Sequence, residues 1–410
     1  MTFNYLFARV SYETCLTAIA AFALPAVLSY LACLLVMTLG PKFGLVDKPG
    51  ERKIHARPIP TGGGLGIWFG TLAPLAALTL VALGYSPETS TLWGAELSSY
   101  PSLLVRHIAG ISSRLGDLWT LVGLGTALVL LGAADDRFNL DWKFRLGAEF
   151  VVAWAAVAAG WRATLFLDVP WLTNALSALW IVGLINSFNM LDNMDGLSGG
   201  TASVCCLFLA TVALGFAPNA ESGEPQYFLG FFYVLLAGAI FGFLILNRPP
   251  ARMFMGDGGA YFIGFLLATT TLATTYVGDA APKSAIFTPA VVLAVPLYDT
   301  ISVVTIRLRA RKSPFIGDTN HFSHRLVALG LTKPQAVATI LLTTAICATG
   351  AFYLHGASLK IAFLVFGQTI LILTLVAVLE FAARKKIRRE ETALELAKKR
   401  ESRDQNATFQ

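Results

Sequence analysis

The sequence predicts an all-α protein: a polytopic bundle of about eleven membrane-crossing helices, N-terminus outside and C-terminus in the cytoplasm. Three observations lead there. Of the 410 residues, 55% are hydrophobic and only 14% charged, with a mean hydropathy of +0.64, whereas soluble domains carry roughly 25% charged residues. Apolar runs of about 20 residues, long enough for a hydrocarbon core of about 30 Å, recur along the whole chain. The basic residues, finally, alternate in density from one loop to the next.

The runs lie at about 16–39, 62–83, 118–134, 146–160, 165–188, 200–216, 227–246, 259–276, 285–306, 334–354 and 360–382. The first is too long for a signal-peptide core and lacks a basic leader and a small-residue cleavage site, so it reads as a span. Threading the chain through these runs puts all but six of the 31 Lys and Arg on one side; the exceptions are Arg9, Arg106, Arg114, Arg162, Lys283 and Lys360. By the positive-inside rule the crowded side is cytoplasmic. The longest outer segment, Gly84 to Asp117, mixes polar and apolar residues and leaves an interfacial helix open. The chain then divides into an integral membrane domain, 1–383, and a basic cytoplasmic tail, 384–410, with the composition of a solvated helix beside anionic headgroups.

These patterns also exclude functions. The net charge of +6 and pI near 9.1 are spread over one membrane face, which argues against nucleic acid. Cys15, Cys33, Cys205, Cys206 and Cys347 sit in or beside apolar runs without metal-ligand spacing and read as small core residues. No internal repeat appears, which weakens a transporter built from inverted halves. A transporter would also carry its carboxylates near the bilayer midplane, whereas here they cluster at the predicted cytoplasmic ends.

Five polar clusters fall on that face. The first loop carries Asp47, Arg52, Lys53 and His55, then Pro58, Pro60 and a glycine run, Gly62 to Gly64, which opens a helix. Such glycines let backbone N–H groups approach a phosphate. Asp135 and Asp136 end the third run; adjacent carboxylates repel unless a cation sits between them, and hard oxygens suit magnesium. Asn186, Asn189, Asp192 and Asp195 follow at intervals of three, so a helical continuation places them near one face, with Gly196 ending that helix. Asp257 lies among glycines at the start of the eighth run, a metal ligand or an N-cap. His321, His324 and Arg325 fill the largest internal cytoplasmic loop, a cationic grip for a diphosphate rather than a zinc site, since no third ligand is near. Asp299, after Pro296, reads equally as packing or as support for the site. Carboxylates for a metal, cations for phosphates and glycine-rich helix starts at one lipid surface describe phosphoryl transfer.

In order, Asp47-x-Pro…Arg52-Lys53-x-His55…Pro58-x-Pro60-x-x-Gly63, Asp135-Asp136, Asn186-x-x-Asn189-x-x-Asp192-x-x-Asp195-Gly196, Met255-Gly256-Asp257 and His321-x-x-His324-Arg325-Leu326 resemble the polyprenyl-phosphate N-acetylhexosamine-1-phosphate transferases, glycosyltransferase family 4. The resemblance covers about 47–326. It implies a helical membrane bundle, often dimeric, with a cytoplasmic site. There the phosphate of a polyprenyl phosphate attacks the β-phosphate of a UDP-sugar and releases UMP. It implies magnesium, with manganese as a substitute, held by Asp257 with Asp135, Asp136 and Asp192. Asp135 and Asp136 are alternatively implied in deprotonating the lipid phosphate, and Asn186, Asn189, Asp192 and Asp195 in binding substrate. His321, His324 and Arg325 are implied at the diphosphate, and Lys53 and His55 at the lipid phosphate. The last motif lacks the three consecutive histidines of the branch that transfers phospho-MurNAc-pentapeptide. It is closer to the undecaprenyl-phosphate GlcNAc-1-phosphate branch, although Ser323 stands where a histidine is common there.

Overall fold

Backbone amides inside a bilayer have no water to bond, so apolar runs of this length satisfy themselves as helices. The computed structural model describes residues 12–47, 58–100, 102–163, 169–216, 225–275, 283–315 and 318–382. Its helices are α1 Tyr12–Leu39, α2 Gly63–Leu83, α3 Ser102–Ser113, α4 Leu115–Phe138, α5 Trp142–Ala158, α6 Pro170–Leu191, α7 Leu197–Thr211, α8 Tyr227–Asn247 and α9 Asp257–Thr275. There follow α10 Thr288–Val292, α11 Ala294–Arg309, α12 Phe322–Ala328, α13 Lys333–Thr349, α14 Ala351–Leu354 and α15 Leu359–Ala382.

This is an all-α polytopic membrane protein. Among the described residues eight helices are long and apolar enough to cross a membrane, and a ninth candidate, Lys283–Val292 with Ala294–Arg309, is bent by 65°. The bend has a local cause: Pro296 has no N–H to donate to the Val292 carbonyl one turn back. The two remaining runs expected from the sequence are helical but shorter or less apolar, α5 with 17 residues and α9 with 19. The outer segment contains a helix after all, α3, preceded by three short antiparallel strands, β3 Tyr85–Ser86, β4 Thr91–Leu92 and β5 Ala95–Glu96. At the opposite end β1 Val46–Asp47 pairs antiparallel with β2 Ile59–Pro60. The predicted tail, 384–410, lies outside the described residues.

The core sits on α8 and α9. The apolar window of α8 is 78% buried, against 17% for α1 and 11% for α15, so those two face lipid. Lipid supplies no hydrophobic drive between helices, and close association depends on small residues that let backbones touch. Gly238 and Gly242 do this where α8 meets α1. A Cβ on Gly238 would stand 2.2 Å from the Phe22 carbonyl oxygen, and one on Gly242 2.1 Å from that of Ala26. α9 lies between α6, α4 and α2, and that packing carries its first turn to the ends of all three.

Overpacking a tight helix contact costs roughly 1–3 kcal/mol. Gly242→Val is therefore expected to lower the thermal midpoint of the detergent-solubilised protein, followed by fluorescence-detected size exclusion after heating. A Cβ on Gly147 would meet nothing within 4 Å, so Gly147→Ala is expected to leave the midpoint unchanged or raised.

Candidate active site

Three backbones converge at one end of the bundle because glycine leaves room for them. A Cβ on Gly132 of α4 would lie 2.1 Å from the Gly258 nitrogen of α9, and one on Gly64 of α2 would lie 2.2 Å from the Gly259 nitrogen. The Gly63 and Gly64 amides donate to the carbonyls of Phe254 (2.9 Å) and Met255 (2.8 Å), and the Phe254 amide donates to Pro60 (2.9 Å). The glycine run after the first loop thus binds the segment leading into α9. Gly256, in the left-handed region at φ +75°, turns that segment so that Asp257 opens the helix.

The turn brings carboxylates from α4 and α9 together. The Asp257 amide donates to Asp136 Oδ1 at 3.2 Å, so a side chain of α4 caps the start of α9. Asp257 Oδ1 accepts from Asn189 Nδ2 at 2.8 Å, and Oδ2 faces Arg145 Nη1 at 3.5 Å. The same guanidinium nitrogen donates to Asp135 Oδ2, while the Leu140 amide donates to Asp135 Oδ1 at 2.7 Å. Asp135 is buried, at 5% exposed. One arginine from α5 thereby holds two acids that would otherwise repel.

Sequence reasoning placed Arg145 among the loop charges and passed over Glu149. These two residues are four apart on α5, one helical turn. Glu149, 2% exposed, accepts from Asn186 Nδ2, which also donates to the Val182 carbonyl at 2.9 Å. A carboxylate inside an apolar run, one turn after an arginine, was the available signal. Asn186, expected to meet substrate, thus faces Glu149, whereas Asn189 faces Asp257.

The acidic motif does not continue as a helix. α6 ends at Leu191, and Gly196, left-handed at φ +75°, starts α7 rather than closing α6. Asp192 to Asp195 therefore form a turn between two helices. Burial pushes the Asp192 carboxyl up to about 7, with the Asp136 and Asp195 charges adding to it. Asp195 Oδ2 accepts from the Ala251 amide at 3.0 Å and Asn247 Oδ1 from the Gly196 amide at 2.8 Å, which fixes the turn against the α8–α9 connection.

The histidine motif reaches the same end. Ser323 Oγ donates to Asn193 Oδ1, joining α12 to the acidic turn. Asp299, fully buried, accepts the Phe322 amide at 2.6 Å and holds His321 Nδ1 at 2.8 Å; of its two readings, the structure gives support to the histidine segment. Burial lowers the His324 pKa, and the neighbouring His321 lowers it further, so His324 is neutral near pH 7. Arg325 differs from expectation: at 2% exposed, it directs its donors into the protein, to Glu380, Asn320 and Ser302. Arg307 and Asn320 outweigh burial and hold the Asp318 carboxyl far below the usual range. Lys53 and His55 lie outside the described residues.

The donor chemistry fits magnesium. Among the described residues no three acidic, histidine or cysteine side chains close a cage around a metal, so Asp135, Asp136, Asp192 and Asp257 do not form one four-ligand set. Magnesium does not need such a cage. It keeps waters and substrate phosphate oxygens and takes one or two protein carboxylates. Asp257 and Asp136, joined at the start of α9, are hard-oxygen donors of that kind.

The family model of glycosyl transferase family 4 matches residues 118–275, from α4 through α9. The decaprenyl-phosphate N-acetylglucosaminephosphotransferase of Mycolicibacterium smegmatis is 30% identical over 350 residues, 80% of this chain and 79% of that protein. The probable undecaprenyl-phosphate N-acetylglucosaminyl 1-phosphate transferase of Bacillus subtilis is 27% identical over 84% of this chain and 86% of its own length. The undecaprenyl-phosphate alpha-N-acetylglucosaminyl 1-phosphate transferase of Escherichia coli K12 is 29% identical over 75% and 76%.

Removing Arg145 leaves Asp135 buried beside Asp257 without its cation. Breaking a fully buried pair costs roughly 3–5 kcal/mol; with Arg145 28% exposed, about 1–3 kcal/mol is expected here. In Arg145→Met the thermal midpoint is expected to fall, and millimolar magnesium to raise it more than in the wild type. Equal magnesium shifts in both proteins would contradict the account of these carboxylates.

Proposed function

The chain belongs to glycosyl transferase family 4, and from that premise we propose that it transfers GlcNAc-1-phosphate from UDP-GlcNAc to undecaprenyl phosphate, with magnesium, at the cytoplasmic face of the plasma membrane. The observation that carries this reading is the meeting of Asp257, Asp136, Asn189 and Arg145 at one membrane end. The acidic turn and the histidine segment join the same end.

An oxygen of the lipid phosphate attacks the sugar-bearing β-phosphorus. The bond from that phosphorus to the bridging oxygen breaks, and UMP leaves with the electron pair. Asp257 and Asp136 would hold the metal, which when bound neutralises charge on the diphosphate and improves the leaving group. Arg145 lies at Asp257 and Asp135 and supplies a fixed cation where phosphate charge accumulates. Asn189 sets the Asp257 carboxylate by holding one of its oxygens. His324 is a hydrogen-bond partner for the diphosphate. The acceptor phosphate needs little activation, since the second pKa of a phosphomonoester is about 6. Asp135, already engaged by Arg145 and the Leu140 amide, then orients the cation rather than taking a proton.

Sidedness supports a cytoplasmic site. Arg145, Arg248, Arg252, Arg307 and Arg325 all fall at or near the ends that carry the motifs, as the positive-inside rule requires of cytoplasmic ends. We read the eight long helices, the bent pair, α5 and α9 as eleven spans, N-terminus outside. The exposed apolar faces of α1 and α15 are then lipid contacts, and the acceptor's tail shares that hydrocarbon phase while its phosphate reaches the site.

The reading is tested with purified protein, undecaprenyl phosphate, magnesium and radiolabelled UDP-GlcNAc. Labelled lipid is expected with one UMP released per lipid formed, abolished by a chelator and reduced about 100-fold or more in Asp257→Ala. Absence of labelled lipid with UDP-GlcNAc, UDP-GalNAc and UDP-MurNAc-pentapeptide alike would overturn it.

A further inference from the structure

α15 is apolar almost throughout, and most of its surface faces outward: Phe363, Leu364, Leu371, Leu375 and Val378 are all exposed. One stripe turns inward. Thr369, Leu373, Val376 and Glu380 recur at spacings of four, three and four, the repeat of a single helix face. Thr369 and Glu380 are buried, and Leu373 and Val376 pack against an apolar cluster. That cluster includes Leu191 and Leu197, which flank the acidic turn, and Phe322 and Leu326 of α12. The last helix therefore backs both the acidic turn and α12.

A carboxylate buried at the end of a lipid-facing helix is costly unless it is paired. Glu380, 6% exposed, accepts Arg325 Nε at 2.9 Å and the Tyr298 hydroxyl at 3.1 Å. Arg325 Nη1 donates to the Asn320 carbonyl at 2.6 Å and Nη2 to Ser302 Oγ at 3.0 Å. The guanidinium carbon lies 5.7 Å from the Tyr298 ring centre and 5.8 Å from that of Phe322. One planar cation thus joins α11, the start of α12 and α15, and Glu380 is its carboxylate partner on α15. Arg325 lies four residues after His321 and one after His324.

We propose that Glu380 is a positioning residue of the transfer reaction: through Arg325 it sets α12 so that His321 and His324 face the nucleotide-sugar. This rests on the reading of the histidine segment given under the proposed function. Glu380 touches no substrate; it acts through Arg325.

The test measures kcat and the KM for UDP-GlcNAc and for undecaprenyl phosphate, together with thermal midpoints. The variants are Glu380→Gln, Glu380→Asp, Val376→Ala and His324→Ala. Glu380→Gln is expected to raise the KM for UDP-GlcNAc roughly 10-fold, a typical effect of losing an orienting partner, with the KM for the lipid little changed. Glu380→Asp is expected to recover part of that loss. Val376→Ala loosens the same helix without touching Arg325, so it is expected to lower the midpoint and leave the UDP-GlcNAc KM unchanged. A raised KM in His324→Ala with a wild-type KM in Glu380→Gln would overturn the proposal alone. Equal KM changes in Glu380→Gln and Val376→Ala would reduce Glu380 to general packing and overturn it too. An unchanged KM in His324→Ala would overturn the reading of the histidine segment, and the proposal with it.

Discussion

The polar end of this bundle depends on how closely the backbone of α9 approaches α4 and α2. Gly132 against Gly258 and Gly64 against Gly259 leave no space for a methyl group at either contact. With larger residues there, α9 would begin farther out, and the Asp257 amide could not reach Asp136. A packing constraint between helices in lipid, where small residues govern association, is therefore also the constraint that assembles the carboxylates. The paired backbone of residues 60–64 and 254–255 adds directional hydrogen bonds to the same junction.

Gathering acids at a membrane boundary is unfavourable on its own, and the surrounding groups answer that cost locally. Arg145 spans Asp135 and Asp257, Asn189 donates to Asp257, and the amides of Leu140 and Asp257 each meet a carboxylate. Among the described residues Asp192 has no comparable donor, and burial with the Asp136 and Asp195 charges raises its pKa. A divalent cation or a substrate's own donors would relieve it. The histidine side is arranged differently. Its charged side chains, Asp299, Arg325 and Glu380, are buried and bonded within the protein, which suits a rigid wall better than a mobile grip.

The carboxylates and asparagines were legible in the sequence because polar side chains at the ends of apolar runs are costly without a purpose. The charge bias between loops put them on one side before any contact was known. Arg145 and Glu149 were missed for a physical reason: an arginine near a helix start counts equally as a topology signal, and a lone glutamate in a short run merely weakens that run. Only tertiary packing shows Arg145 between Asp135 and Asp257. Arg325 was legible as important but not in its direction. Its partner Glu380 lies 55 residues away in a helix that reads as lipid-facing, and no local pattern links the two. Gly196 was read as a helix stop because a glycine that ends one helix and one that starts the next look alike in sequence.

The central claim is that Asp257, set by the glycine junction against Asp136, holds the metal that meets the substrate diphosphate. Electron–nuclear double resonance on manganese-loaded protein with UDP-GlcNAc addresses it directly, because it detects phosphorus coupled to bound metal without requiring turnover. The expected result is a 31P coupling in the wild type that disappears in Asp257→Asn, with the protein still folded by size exclusion. The same coupling in the variant would put the metal elsewhere and contradict the account.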